Sequence, residues 1–166
     1  DKDDAADIAF LANNPRIAAM VARMPHPYGL KDAHAFIERN RDGGPNGSVY
    51  AVTLAATGRF IGCAGLDSSK RSGLELGYWL GEPFWGQGFA TEAAHALVDL
   101  AFEGTDVVMI SAACRISNPA SRRVIQKSGF QHAGTGMMSS IAAGNVAIER
   151  FVLDRKTWAS LRSWGR

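Results

Sequence analysis

Thiols are scarce in this chain: Cys63 and Cys114 are its two cysteines, they lie far apart, and neither belongs to a CxxC. That spacing argues against a disulfide scaffold and fits a reducing compartment. The four histidines, His26, His34, His95 and His132, never fall at metal-ligand spacing, so no metal is expected. No charge sign dominates either. Lys+Arg 18 against Asp+Glu 16 leaves a net charge of +2, too small a field to grip a polyanion, and neither a basic stripe nor an aromatic stacking platform points to nucleic acid. No apolar run approaches the roughly 18 residues that a membrane helix needs, and no charged-then-apolar leader is visible, so a cytoplasmic, soluble protein is expected. A GxSxG elbow is missing too, and no histidine is placed by sequence beside a serine or cysteine nucleophile, which leaves a hydrolase triad without support.

What is present is 166 residues, 46% of them apolar, about one domain with a sizeable core. The organisation read from period and punctuation is one alternating α and β unit over 1–166. Residues 3–12 read as a helix. A second is expected over 15–24, capped by Asn14, opened by Pro15, with Ile17, Met20, Val21 and Met24 forming its apolar stripe. A helix over 31–40 is stopped by Asp42, Gly43, Gly44 and Pro45. From Ser48 the period changes: SVYAVTL, RFIGCAGL and GLELGYWL predict three antiparallel strands, broken at Thr57-Gly58 and over Asp67 to Ser72. Then come a helix over 91–102, a strand over 107–114 and a helix over 119–128, with Asn118 as N-cap, Pro119 at the first position and Gly129 past the end. Strands near 130–138 and 146–153 and a short helix opened by Asp154 complete the order.

Glycine clusters between Gly73 and Gly88, and that cluster carries the chemistry. The strand ending LELGYWL leads through Gly81 into Trp85, Gly86, Gln87, Gly88, Phe89 and Ala90, directly before a helix. Glycines let successive backbone N–H groups converge, and a helix N-terminus adds partial positive charge, so such a loop holds a pyrophosphate without a cationic side chain. A tight strand-to-helix turn uses glycine for steric reasons alone, so the fragment by itself leaves both readings open.

Residues 75–93, ELGYWLGEPFWGQGFATEA, together with Asn118-Pro-Ala-Ser121 and Lys127-Ser-Gly-Phe130, resemble the GNAT superfamily of acetyl-CoA-dependent N-acetyltransferases. The branch that acetylates N-terminal amines of ribosomal proteins is the most similar. The resemblance implies an α/β (α+β) fold: a mixed, mostly antiparallel, splayed sheet with helices on both faces. It also implies that main-chain amides from Trp85 to Ala90, with Thr91 following, hold the diphosphate of acetyl-CoA. The pantetheine arm then lies along Tyr78, Trp79 and Leu80 as though it were another strand, with Asn118 and Ser121 beside the pantetheine and the thioester sulfur. Each of the last two has a plainer role, Asn118 as a helix cap and Ser121 as a first-turn residue.

Departures from the superfamily pattern matter. Trp85 stands where a Gln or Arg is commonest, removing a side-chain contact to phosphate, although the nearest branch often has Trp there. Ile125 stands where many members carry a tyrosine acid, so Ser121, or else water, is the candidate to protonate the departing thiolate. The superfamily usually begins with a strand before its first helix, and here that strand is expected to be absent or truncated. Direct attack by an amine requires a base, for which Glu75 is the candidate, unless it is a solvated strand carboxylate. It also requires polarisation of the carbonyl, assigned to a backbone N–H near Trp79 or Leu80. Glu92 reads as a dipole-stabilising residue, Cys114 as a buried thiol near the sulfur, and His26 as an exposed loop residue on the acceptor side. The expected partners are acetyl-CoA and a primary amine, the chain acting as a monomer or homodimer; the alternative is a non-catalytic acyl-CoA-binding regulatory module.

Overall fold

The computed structural model describes residues 1–41, 47–69 and 73–163, with the backbone alone described at 47 and 69. The expected stop of the third helix at Asp42 to Pro45, and part of the polar break from Asp67 to Ser72, lie outside the described residues. Helices are α1 (Ala5–Ala12), α2 (Pro15–Ala18), α3 (Leu30–Asn40), α4 (Phe89–Gly104), α5 (Pro119–Lys127) and α6 (Arg155–Ser163). The strands are β1 (Gly47–Thr53), β2 (Phe60–Ser69), β3 (Gly73–Leu80), β4 (Met109–Arg115), β5 (Gln131–Ser140) and β6 (Gly144–Asp154). They form one six-stranded sheet in the order β1-β2-β3-β4-β6-β5, antiparallel except between β3 and β4.

Strand alternation divides the apolar residues between two faces. On one, Leu66, Leu76, Ile110, Ala112, Phe151 and Leu153 meet Val98 and Phe102 of α4, Ile125 of α5 and Trp158 of α6. On the other, Ile61, Cys63 and Leu80 meet Ile8 and Leu11 of α1, Ile17 of α2 and the segment carrying Met24 and Tyr28. Large side chains such as Phe102 and Phe151 are nearly inaccessible, and each such burial stabilises the fold by about 1.5–3 kcal/mol. The mixed, mostly antiparallel sheet with helices on both faces is thus the architecture observed.

The second helix is a correction. It ends at Ala18 instead of running to Met24. Asn14 does cap it, its side chain accepting from the Arg16 amide at 2.8 Å, but the following carbonyls are claimed by distant groups. Ala19 O accepts from the Arg115 guanidinium, Val21 O from the Ser140 hydroxyl and Ala22 O from the Ile141 amide. Those bonds tie the 19–22 segment to the end of β4 and to the β5–β6 turn, which replaces the i to i−4 pairing that periodicity alone predicted. Ile17 and Met24 remain buried, so the stripe was core.

The β3–β4 pairing positions the site. It runs through Leu74–Ile110, Glu75–Ser111 and Leu76–Ala112 and then stops, while β3 continues to Leu80 against β2 and β4 continues to Arg115 against β6. Beyond Leu76 the two strands diverge into a slot whose edges, among the described residues, have no strand partner.

Candidate active site

One wall of the slot ends in the glycine-rich loop. Gly86 and Gly88 have φ of +74° and +89°, a region that side chains with a Cβ enter only with strain. A Cβ at either position would meet nothing within 4 Å, so conformation and not crowding requires glycine there. Gly88 is the N-cap of the 16-residue α4, starting it two residues earlier than expected and placing Phe89, Ala90 and Thr91 in its first turn. The Gly88 carbonyl accepts from Thr91 and Glu92 at 3.0 Å each. Among the described residues, the amides of Gly86, Gln87, Gly88, Phe89 and Ala90 have no hydrogen-bond acceptor. Five successive open donors thus stand at the positive end of a long helix, the kind of place where an anion is favoured. Glu92 also lies in that first turn, where its charge favours the dipole.

The loop's side chains brace it from behind. Trp85, 40% exposed, donates its indole N–H to Leu80 O at 2.7 Å, and the Arg16 guanidinium stacks 5.2 Å from its ring. Arg16 and Asn14 both bond Glu82. Gln87 folds back to Pro83 O at 3.0 Å. Neither Trp85 nor Gln87 directs its side chain forward, so what the loop offers is main chain.

The other wall is the start of α5. Asn118 Oδ1 accepts from the Ser121 amide at 3.1 Å, which is the expected cap, and the Arg122–Glu149 pair ties this helix to β6 at 2.5 Å. Ser121 Oγ lies 2.8 Å from the Tyr78 hydroxyl, which crosses from β3. Burial pushes the Tyr78 phenol from 10.0 up to about 12, against the opposing pull of its Ser121 hydrogen bond. Cys114 is buried at the end of β4, and burial, then the nearby Glu149 carboxylate, raises its thiol too. Ile125, 1% exposed, is core and offers no hydroxyl.

Glu75 lies on the opposite face. Alternation along β3 puts Glu75, Gly77 and Trp79 with Cys63 and the α1–α2 cluster, and Leu76 and Tyr78 with the α4–α5 cluster. Glu75 is exposed and stands one residue before the strands part. Asp67 is its cross-strand neighbour and pairs with Arg23 at 3.4 Å, placing the 19–24 segment above this face. The sequence-derived candidates are therefore distributed about the slot and the loop that follows β3, with Tyr78 to Leu80 on one side, Asn118 and Ser121 at the start of α5 and Glu75 beside the last β3–β4 pairs. The expected run of free amides is shortened, because the Trp85 amide bonds Glu82 O at 3.2 Å and the Thr91 amide bonds Gly88 O at 3.0 Å, which leaves Gly86 to Ala90. Exposed His26 belongs to the loop after α2. The contact that sequence reasoning missed is the side chain of Tyr78 on Ser121. Strand period gave its face, but nothing local announces a partner 43 positions away.

A family model described as an acetyltransferase (GNAT) domain matches residues 1–131. The chain is also 30% identical over 143 residues to the protein YkkB of Bacillus subtilis (strain 168), covering 81% of this chain and 80% of that protein. The chain belongs to the GNAT acetyltransferase family. A ribosomal-protein-serine acetyltransferase of Escherichia coli (strain K12) is 36% identical over 56 residues, 34% of this chain and 31% of that one. Among solved structures, a spermidine N-acetyltransferase from Vibrio cholerae in complex with CoA and spermine superposes with a TM-score of 0.79 at 18% identity, covering 96% of this chain and 94% of that one. In this GNAT domain β3 runs from the point where it leaves β4, after Leu76, to Leu80, and the glycine-rich loop before α4 follows. Among the described residues no helix is long and apolar enough to cross a membrane.

Proposed function

We propose that this chain transfers acetyl from acetyl-CoA to a primary amine, of a protein N-terminus or a small molecule, by direct attack within a ternary complex. The observation that carries the reading is the run of unpartnered amides from Gly86 to Ala90 beside a slot left open by strand divergence. The cradle takes the diphosphate, and the pantetheine arm follows Tyr78 to Leu80 with its polar groups against the unpaired strand edge. Acetyl then lies where β3 and β4 part.

The two sides of the sheet divide the chemistry. The amine approaches from the face of α1 and the 19–24 segment, where Glu75 takes up its proton directly or through water. The backbone N–H of Leu80 polarises the thioester carbonyl as it becomes tetrahedral, since the register with β2 pairs the Trp79 amide with Cys63 and leaves Leu80 facing the slot. The thiolate departs on the α4–α5 face, where Ser121 meets the sulfur. Binding both substrates in line supplies the entropic part of the rate enhancement. The acceptor face carries Asp67 and Glu75 but also Arg23, and alternation adds Arg115 and Arg150. This mixed charge supplies no field that favours a polycationic acceptor.

Thermal unfolding with and without acetyl-CoA, followed by thiol release with a panel of amines, tests the proposal. Saturation at about 100 times the dissociation constant stabilises a protein by about 2.7 kcal/mol. Stabilisation together with thiol release supports transfer. Stabilisation without release across the panel supports a binding module, and no stabilisation rejects the cradle.

A further inference from the structure

Acetyl transfer leaves the side chain of Tyr78 without a task. Its Cα lies two residues past the last β3–β4 pair, Leu76 with Ala112, so the ring stands beside the open part of the sheet. The hydroxyl reaches Ser121 Oγ at 2.8 Å and Ser121 O at 3.3 Å, joining β3 to the first turn of α5 across the slot. Of the two groups a phenol is the stronger O–H donor and an aliphatic hydroxyl oxygen the better acceptor. The Ser121 carbonyl can only accept, so the one phenol proton points to Ser121 and is shared between O and the nearer Oγ, the arrangement that leaves the Ser121 hydrogen free to turn away from the ring. The Ser121 amide is already held by Asn118, fixing the rest of the residue.

We propose that Tyr78 is a positioning residue whose hydroxyl, donated to Ser121 Oγ, holds the Ser121 hydrogen toward the sulfur of the departing CoA. The inference rests on the reading that Ser121 neighbours the thioester sulfur. In the step it serves, the amine lone pair forms the C–N bond and the C–S bond breaks with its electron pair on sulfur. The proton lost by nitrogen ends on that sulfur, carried by Glu75 and water. Ser121 lends a hydrogen bond while the sulfur is charged, and neither hydroxyl gives up its proton. A phenol held at about 12 suits this task, since it stays protonated well above neutral pH. The same value makes a relay ending in phenolate uphill, because a free thiol titrates near 8.5. The pair thus stands where Ile125 offers no donor.

Steady-state kinetics of Tyr78→Phe, Ser121→Ala and the double variant provide the test, with thermal melts to establish folding. Each single change is expected to lower kcat about tenfold while the KM for acetyl-CoA and its thermal shift stay at wild-type values. The double variant is expected to fall no further, because the two groups act as one. Ser121→Thr, which keeps a hydroxyl, is expected to retain most of kcat. Wild-type kcat in Tyr78→Phe, multiplicative losses, or a defect confined to KM overturns the proposal. Should Tyr78→Phe fail to fold, equal activity of Ser121→Ala and Ser121→Thr overturns it instead. A wild-type chain that releases no thiol with any amine rejects acetyl transfer itself, and this inference with it.

Discussion

Replacing Gly88 by alanine separates the cost of a backbone conformation from the loss of a binding site. At φ +89° a Cβ meets nothing within 4 Å, so the penalty is conformational alone, about 1–2 kcal/mol for a non-glycine residue in the left-handed region. Gly58, in the β1–β2 turn at φ +70° and with equally open surroundings, supplies the control. With an unfolding entropy of about 2.1 cal/mol/K per residue, 1 kcal/mol corresponds to about 3 °C in a chain of this length. Both variants are expected to melt about 3–6 °C below wild type without ligand. They should diverge when acetyl-CoA is added. At 100 times the wild-type dissociation constant, wild type and Gly58→Ala gain about 2.7 kcal/mol, or about 8 °C. If the strained loop turns its amides away and affinity falls tenfold, Gly88→Ala gains only about 1.4 kcal/mol, or about 4 °C. Differential scanning fluorimetry resolves that gap. Equal acetyl-CoA shifts in Gly88→Ala and wild type refute the argument that this turn shapes the cradle.

Other expectations follow from the same geometry. Glu75→Gln should lower turnover by at least about a hundredfold with acetyl-CoA binding intact, as for the loss of a general base; unchanged turnover measured by thiol release makes Glu75 a solvated carboxylate. Asn118→Ala removes the acceptor for the Ser121 amide and should cost about 1 kcal/mol in a denaturant melt, whereas Asn118→Asp keeps the cap. A loss of equal size in both assigns the cap no role. Burial raises Cys63 from 9.0 to about 12, and Tyr28 and Tyr78 from 10.0 to about 12. The unfolded chain sheds these protons first, so the stability they contribute is complete below pH 9 and lost as pH rises toward 12. In Tyr50→Phe, which removes the third and exposed tyrosine, alkaline titration followed by tyrosinate absorbance and circular dichroism should find Tyr28 and Tyr78 ionising with unfolding, and ionisation without it contradicts their burial.

Most of the element order could be read along the chain because the signals involved are local. Pro119 with the Asn118 cap, Gly129 at φ +90°, and Asp154 accepting from the Thr157 amide at 2.7 Å each act within a few residues. The alternation of β4, with Ile110, Ala112 and Cys114 inward, is equally local. The second helix misled because its carbonyls at 19, 21 and 22 serve partners up to 119 positions away, a demand that periodicity does not encode.

The candidate site divides in the same way. The sequence by itself marked the loop: glycine at 86 and 88 takes the positive φ found there and a helix start follows, so the turn that leaves five amides open was written locally, while its binding role was not. It also determined which residues share a face of β3, through the two-residue period. The tertiary structure alone decided that β6 lies between β4 and β5, that β3 and β4 part after Leu76, and that Tyr78 meets Ser121. Caps, turns and alternation are fixed by bonds between near neighbours, whereas strand order, divergence and cross-slot contacts emerge from packing two apolar faces of the sheet at once, which no short stretch of chain can specify.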